Sequence, residues 1–242
     1  MEWIHSYQLF LFDLDGLLVN TESLHYLAYK NMLQARGFIL PWDFNRYCLT
    51  AHYHSDKIEK EFLELFPSLY DQGDSWEILY AEKKQEVMSL LRSGKVGLMP
   101  GVFELLTSLQ EAKIKCCVVT HSPDELVSIM RSQHPILDAI PLWITRHDYK
   151  KPKPDPECYL KAINEYASPF DRVIGFEDSP RGLTALLGTR AEAVIICEVE
   201  YPEIPQFIER GARHYSTFLD LNEARRNNLF PNPDEKDVSP FA

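Results

Sequence analysis

The sequence has no run of about 20 apolar residues, the length that a helix needs to cross a lipid bilayer. Its first residues, Met1 to His5, contain neither a basic leader nor a cleavable apolar segment. These two absences argue against a membrane protein and against an exported one. We therefore expect a cytoplasmic protein that does not interact with membranes.

Positive charge is also scarce. The chain has 25 lysines and arginines against 36 aspartates and glutamates, which gives a net charge of -11. A surface of this sign repels polyanions, so nucleic acids are not expected as partners. A phosphorylated substrate would have to find its positive charge locally, in a small region of the protein.

Cysteines are few, odd in number and scattered. One adjacent pair lies inside an apolar run, which favours reduced, structural thiols over a disulfide framework. The five positions are Cys48, Cys116, Cys117, Cys158 and Cys197. With 242 residues and 45% hydrophobic content, the chain is long enough to bury a sizeable core as one large domain or two smaller ones.

Five short apolar runs, most of them separated by helix-length stretches, resemble buried parallel strands. They are Leu9–Phe12, Ile114–Thr120, Ile140–Thr145, Val173–Phe176 and Ala193–Cys197. This alternation predicts an α/β fold with a doubly wound, Rossmann-like parallel sheet. The first run lacks the Gly-x-Gly-x-x-Gly turn of a dinucleotide-binding enzyme, so we set that function aside.

A long segment without a convincing strand interrupts this pattern and reads as three helices, at Thr21–Arg36 and roughly at His54–Phe66 and Ser75–Arg92. It predicts a helical cap (21–93) inserted into a core made of 1–20 and 94–228. The glycines of the returning linker, 93–101, suit either a hinge or ordinary helix ends. Residues 229–242 are predicted to form a polar tail.

Two aspartates, Asp13 and Asp15, end the first strand and are followed by Gly16, which lets the chain bend sharply. Ligands of α/β sheets bind at the carboxyl ends of strands. Two acids held together resist ionisation unless a cation or a shared proton relieves them, and Mg²⁺ meets that need. The alternative is an Asp-x-Asp-Gly turn that merely ends the strand.

Three further segments follow later predicted strands. Thr120, His121 and Ser122 combine a hydroxyl at a strand tip with a helix start, an arrangement that suits phosphate binding. A proline-rich loop, 150–156, holds basic residues on a rigid backbone. Glu177 and Asp178 form a second acidic pair at the end of a strand, and such a pair is costly without a cation.

In this order and spacing, the four segments resemble the motifs of the haloacid dehalogenase-like hydrolase superfamily, over roughly residues 8 to 200. The resemblance implies that Asp13 is a nucleophile that forms an aspartyl-phosphate and that Asp15 is the general acid and base. It also implies that Thr120 binds the transferred phosphoryl group. The second aspartate points to phosphoryl transfer and away from carbon–halogen cleavage.

The same resemblance assigns the charged partners of the phosphate. The family pattern Lys-Pro-x-Pro-Asp fits Lys151 as the catalytic lysine, with Lys150 and Lys153 expected in solvent. The implied Mg²⁺ site consists of Asp13, Asp15 through its backbone carbonyl, Glu177 and Asp178. Asp178 is expected to be a direct ligand, and Glu177 is expected to bind directly or through water.

The position of the predicted cap resembles the branch that contains β-phosphoglucomutase and sugar phosphatases. There, the pattern Asp-Thr/Ser-Glu-x-x-His is usual, and this chain has Asn20 but keeps Glu22 and His25. By resemblance His25 contacts substrate near the hinge; alternatively it is a partly buried helix histidine. The substrate loop of that branch often carries glycine and a basic residue, which the stretch 50–56 lacks.

These patterns predict an Mg²⁺-dependent phosphatase of a small phosphorylated metabolite, such as a sugar phosphate. A phosphomutase is the first alternative, because it shares the aspartyl-phosphate and differs in the acceptor. We prefer the phosphatase because the stretch 52–54 offers histidines, which are weakly charged at neutral pH, where a mutase would need a basic anchor. A non-catalytic phospho-ligand-binding protein is the second alternative, and the intact motifs argue against it.

Overall fold

The computed structural model describes residues 1–52, 57–70, 75–94 and 96–226. Within them, six strands form one parallel sheet of order β3-β2-β1-β4-β5-β6. The strands are β1 (Leu9–Phe12), β2 (Lys115–Val119), β3 (Leu142–Ile144), β4 (Val173–Glu177), β5 (Glu192–Ile196) and β6 (Arg213–Tyr215). This order places β1 and β4 side by side at the centre, where the strand order reverses and ligands bind in such sheets.

Ten α-helices accompany these strands in the described residues. They are α1 (Glu22–Ala35), α2 (Phe44–Ala51), α3 (Lys57–Leu65), α4 (Trp76–Arg92), α5 (Val102–Glu111), α6 (Asp124–Gln133), α7 (Glu157–Tyr166), α8 (Pro180–Leu187), α9 (Ile204–Glu209) and α10 (Phe218–Arg226). None of these helices is long and apolar enough to span a membrane. The predicted doubly wound α/β fold is confirmed.

The centre of the sheet is buried on both faces. Every residue of β1 is inaccessible to solvent. Phe10 and Phe12 stack on Phe176 of β4 on one face, and Leu9 and Leu11 pack in the cluster on the other face. Two-sided burial explains why the strands read as continuous apolar runs in the sequence. All five cysteines are buried and unpaired, as predicted.

The helices α1 to α4 lie between β1 and β2 in the chain and have their own hydrophobic cluster, which includes Tyr29, Leu33 and Phe62. Helix α2 was not predicted, and the helix predicted from His54 begins at Lys57 in the described residues. No strand occurs in the described part of 21–93. The division of the chain into core and cap at these boundaries stays a prediction.

The chain enters and leaves this helical region along one narrow connection. Val19 forms an antiparallel bridge with Leu98. The N–H of Met99 donates to the carbonyl of Leu18 at 3.0 Å, and that of Asn20 donates to Gly97 at 2.9 Å. The two linkers are therefore paired with each other. Gly94 and Gly101, both with positive φ, lie at the end of α4 and the start of α5, so both glycines punctuate helices; the hinge stays a prediction.

The C-terminal part of the chain contains one strand that the sequence did not predict and one predicted segment that the structure does not describe. Strand β6 was not predicted, because Arg213-His214-Tyr215 is short and mostly polar, as suits an edge strand. The predicted tail, 229–242, lies outside the described residues.

Candidate active site

Asp13 and Asp15 leave the sheet together at its central strand. The N–H of Asp13 donates to the carbonyl of Phe176 at 3.0 Å, which continues the pairing of β1 with β4 by one residue. Because β4 ends with Glu177, the pairing places Asp13 next to the second acidic pair. The first and fourth segments of the sequence therefore meet, as predicted for carboxyl ends of neighbouring strands.

Asp13, Glu177 and Asp178 form a buried carboxylate cluster. One carboxylate oxygen from each residue lies within 4.8 Å of the other two. Burial raises the pKa of Asp13 to about 7 against the opposing effect of Lys153, with Glu177 and Asp15 adding to the rise. Burial likewise raises the pKa of Asp178 well above its usual range, despite the nearby His52.

The donor set of this cluster fits a hard divalent cation. Three carboxylates with oxygen atoms this close, and too little positive charge to balance them, form the kind of site that Mg²⁺ or Ca²⁺ occupies. The side chain of Asp15 is not part of the cluster. A contribution from its backbone carbonyl stays a prediction.

Lys153 is the lysine of this site, and the prediction that Lys151 lies beside Asp13 is wrong. The Lys153 Nζ lies 2.6 Å from Oδ1 of Asp13 and 2.7 Å from Oε1 of Glu177, and it donates to the carbonyl of Val119 at 2.9 Å. Burial opposes the charge on Lys153, but Asp13 and Glu177 outweigh burial and raise the pKa of the ammonium well above its usual range.

The side chain of Lys151 is 71% exposed, and its nearest acid is Asp155 at 3.7 Å. The family pattern Lys-Pro-x-Pro-Asp fits Lys151, whereas the shorter pattern Lys-Pro-x-Pro occurs at both Lys151 and Lys153. The prediction of Lys151 therefore relies on Asp155, which follows only the first of these two frames. The signal that could have favoured the second frame is the aromatic residue that follows it, Tyr159, which lies under the Lys153 ammonium.

Asp15 is held by three hydroxyl groups. Its carboxylate accepts from Ser122 at 2.7 Å, from Thr120 at 3.0 Å and from Thr21 at 3.1 Å. Thr120 also accepts from the N–H of Ser122 at 2.9 Å, so both residues are fixed at the end of β2. Thr120 and Ser122 thus contact the second aspartate from the neighbouring strand, and these hydrogen bonds set the direction of its carboxylate.

Two glycines make room for the carboxylates. Gly16 has φ +75°, and a side chain there would collide with the carboxylate of Asp178. A side chain at Gly182 would collide with the carboxylate of Glu177, which also accepts from the hydroxyl of Tyr159. The sequence predicts a bend at Gly16 but no role for Gly182, because the close approach of a carboxylate that is distant in the chain leaves no pattern in the sequence.

His25 lines a cavity together with Glu22 and Lys83, and its Nδ1 is 2.6 Å from the Nζ of Lys83. Burial and the neighbouring Lys83 lower the pKa of His25 to about 4. Burial also lowers the pKa of Lys83 to about 8, against the opposing effect of Glu22. At neutral pH the pair therefore consists of a neutral imidazole that accepts from an ammonium. Whether His25 binds substrate stays a prediction.

Glu22, His52 and Tyr201 connect the helical region to the core. The Nε2 of His52 lies 3.1 Å from Oε2 of Glu22, and its Nδ1 lies 2.6 Å from the hydroxyl of Tyr201, which follows β5. Burial disfavours the charged imidazole, but Glu22 outweighs burial and raises the pKa of His52 to about 9. Burial raises the pKa of Glu22, but His52, His25 and Lys83 together hold it at about 2.

This ion pair changes one argument from the sequence. The sequence predicts that the histidines of the stretch 52–54 are weakly charged at neutral pH, whereas the raised pKa of His52 keeps this residue protonated. Tyr53 and His54 lie outside the described residues. Because the charge of His52 is neutralised by Glu22 at 3.1 Å, His52 is still not a free anchor for a phosphate.

His121 lines the cavity beside Asp13 and Asp15. Burial, together with the cations Arg146, Arg181 and Lys153, lowers its pKa to about 4, so the imidazole is neutral. The hydroxyl of Tyr149 donates to the carbonyl of Thr120 at 3.1 Å and lies 3.0 Å from Nδ1 of His121. Since that hydroxyl has one proton, Nδ1 of His121 is the donor, which leaves Nε2 as an acceptor.

This arrangement brings the carboxylate cluster, the ammonium of Lys153 and the carboxylate of Asp15 to one cavity. Residues 10–194 match the model of the haloacid dehalogenase-like hydrolase family. The chain belongs to this family. The resemblance that the four segments suggested is therefore confirmed.

Relatives within the family include both hydrolases and a mutase. The 2-deoxyglucose-6-phosphate phosphatase 2 of Saccharomyces cerevisiae is 30% identical over 196 residues, which cover 74% of this chain and 76% of the yeast protein. The β-phosphoglucomutase of Bacillus subtilis is 25% identical over 185 residues, which cover 73% of this chain and 77% of that protein.

The fold matches solved structures of the family. The crystal structure of CbbY from Rhodobacter sphaeroides in complex with phosphate aligns with a TM-score of 0.66 and 23% identity, over 89% of this chain and 96% of that chain. At this identity the match supports the fold.

Proposed function

We propose that this protein is an Mg²⁺-dependent phosphatase that hydrolyses a small phosphorylated metabolite, a sugar phosphate, through an aspartyl-phosphate on Asp13. The contact of Lys153 with both Asp13 and Glu177, at 2.6 and 2.7 Å, carries the proposal. It shows a carboxylate that is kept close to positive charge inside a cavity, as a nucleophile for an anionic phosphorus centre requires.

Asp13, Glu177 and Asp178 would hold the metal ion. When bound, Mg²⁺ supplies charge neutralisation between the phosphate oxygens and the carboxylates. An oxygen of Asp13 attacks phosphorus, and the bond from phosphorus to the leaving oxygen breaks. Lys153 opposes the effect of burial on the pKa of Asp13, which favours the ionised carboxylate, and it orients the carboxylate through a charge-assisted hydrogen bond.

Asp15 handles the proton in both halves of the reaction. As an acid it protonates the leaving oxygen, and as a base it then takes a proton from the water that attacks the aspartyl-phosphate. Release of inorganic phosphate restores Asp13. The hydroxyls of Thr21, Thr120 and Ser122 support this role, because they hold the Asp15 carboxylate at one side of the cavity.

The helical region 21–93 acts as a cap in this proposal. It contributes Glu22, His25 and His52 to the cavity wall opposite the core. Closure of such a region excludes water and selects the leaving group. The sugar phosphatase among the relatives supports a sugar phosphate as the substrate.

A phosphomutase is the second candidate, supported by the mutase relative. A mutase must grip a second phosphate in the cap and withhold water, and in the described residues the cap cations His52 and Lys83 are engaged with Glu22 and His25. The test supplies β-glucose 1-phosphate with a trace of the 1,6-bisphosphate and Mg²⁺. We expect inorganic phosphate to be released from several sugar phosphates, whereas glucose 6-phosphate formed well ahead of phosphate would establish the mutase.

A further inference from the structure

The catalytic cavity continues into a second, larger cavity under the cap. The first, of about 180 Å³, contains Asp13, Asp15 and Lys153. The second, of about 510 Å³, reaches His25, Tyr29 and Lys83. Their shared wall consists of Glu22, Ala51, His52, His121 and Arg181. A substrate whose phosphate lies at Asp13 can therefore place its leaving group along this wall.

Most charged groups of the two cavities already have partners. Lys153 pairs with Asp13 and Glu177, and Lys83 contacts His25 at 2.6 Å and lies over the ring of Tyr29. His52 pairs with Glu22 at 3.1 Å. These contacts leave little free positive charge for the leaving group of a substrate.

Arg181 differs from these groups. It is the second residue of α8, which begins at Pro180 directly after the acidic pair Glu177 and Asp178 and the N-cap residue Ser179. Among the residues that the structure describes, none forms a hydrogen bond or ion pair with its guanidinium, which is half-buried at the shared wall. The neighbouring His121 is neutral, and the remaining acid of the larger cavity, Glu59, does not pair with Arg181.

A guanidinium offers five donors in a planar fork that matches a carboxylate or a phosphate in two parallel hydrogen bonds. Inside a cavity such a group has little water to serve as acceptor, and a ligand anion replaces that water with a stronger partner. An uncharged sugar hydroxyl uses one donor of the fork and leaves the positive charge unbalanced.

We infer that Arg181 is a specificity-determining residue that binds a second anionic group on the leaving side of the substrate. The inference rests on the proposed phosphatase function and narrows it to phosphorylated sugars that carry a carboxylate or a second phosphate. Such a substrate is attacked at the phosphate next to Asp13, while Arg181 holds the other anion at the shared wall.

The test compares three compounds of similar size: glucose 6-phosphate, 6-phosphogluconate and fructose 1,6-bisphosphate. The variants are Arg181→Gln and Arg181→Lys, with Arg92→Gln as the matched control, because Arg92 is exposed and pairs with Glu125 at 3.2 Å. For whichever of 6-phosphogluconate and fructose 1,6-bisphosphate the wild type prefers, we expect Arg181→Gln to lower kcat/KM at least about tenfold, mainly by raising KM. The kcat/KM for glucose 6-phosphate should change less than about twofold.

Arg181→Lys should recover part of the loss, since it restores the charge without the fork, and Arg92→Gln should behave as the wild type. The compound with the larger loss tells whether the second anion is a carboxylate or a phosphate. An equal loss for all three compounds, or no preference of the wild type for the anionic ones, overturns the inference.

A binding measurement separates this inference from the proposed function. Titration calorimetry with the same compounds is carried out in the Asp13→Asn background, in which the nucleophile is absent. A selective, at least tenfold loss of affinity for an anionic compound with Arg181→Gln supports the role of Arg181 even when wild-type protein releases no phosphate. If the wild type releases phosphate from none of the compounds, p-nitrophenyl phosphate included, the result contradicts the proposed phosphatase function but not the inference about Arg181.

Discussion

Exchange of Lys153 for alanine removes the ammonium that lies between Asp13 and Glu177, whereas the same exchange at Lys151 removes an exposed side chain. We expect Lys153→Ala to reduce kcat by about 10²-fold or more, because preorganised charge in a cavity contributes most to catalysis. Lys151→Ala should stay within about twofold. Circular dichroism should show that both variants fold, and equal losses of activity would contradict the assignment of Lys153.

Asp13→Asn and Asp15→Asn should each lower phosphate release by at least about 10³-fold, since nucleophile and proton carrier act on the same reacting group and their losses are not additive. Both amides keep the size of the native side chain. Burst measurements should detect no phosphoprotein in Asp13→Asn. Substantial activity in the purified Asp13→Asn protein would exclude the covalent mechanism.

At the scale of single residues, the sequence indicates a side chain well when it terminates a strand and poorly when it belongs to a loop. Asp13, Thr120 and Glu177 follow apolar runs, so parallel pairing brings them together without further information. Lys153 lies in a loop that offers a second lysine at Lys151, and Arg181 and His52 line cavities whose other walls come from segments distant in the chain. Only the folded packing decides such positions.

Among the structural elements, the contact of His52 with Glu22 and Tyr201 joins α2, α1 and the segment after β5. The pKa of His52 is raised to about 9 from an ordinary value near 6.5, so the pair stabilises the fold fully below pH 6.5. This stabilisation is lost as the pH rises through 9. Because the pKa rises by about 2.5, the pair contributes up to about 3 kcal/mol.

We therefore expect His52→Gln to lower the free energy of unfolding by an amount that is largest near pH 6 and falls by up to about 3 kcal/mol by pH 9.5, where only the pH-independent contact with Tyr201 remains to be lost. Chemical denaturation across this range measures the difference, with the exposed His5→Gln as the control. Tyr201→Phe should cost about 1 kcal/mol, since one hydrogen bond is lost. A cost of His52→Gln that does not change with pH would contradict a charged His52.

The elements themselves were predicted where periodicity is strong. The five apolar runs became β1 to β5 because both sheet faces are covered. Strand β6 is short and polar, and α2 is separated from α1 by a stretch rich in aromatic residues and proline, so neither gives a clear pattern. Strand β6 is placed by its pairing with β5, and α2 packs against α1 and α3.

For the whole molecule, metal binding should couple to folding, because the carboxylate cluster joins the ends of β1 and β4. A ligand that binds only the folded state stabilises it by about 2.7 kcal/mol at a concentration of 100 times its Kd. We expect Mg²⁺ to raise Tm and chelation to abolish activity. Asp178→Asn should weaken both effects, with the exposed Asp138→Asn as the control; a Tm increase that is unchanged in Asp178→Asn would contradict the cluster as the metal site.

The pairing of the linkers at Val19 and Leu98 brings the two ends of the helical region to one point of the core. A short turn that joins 20 to 97 would close the core without stretching the chain. The carboxylates and Lys153 would all remain, but they would face open solvent, where large phosphoesters such as phosphopeptides can reach them. Replacement of this one insert by a turn should therefore widen the range of phosphoesters that a phosphatase of the proposed kind hydrolyses.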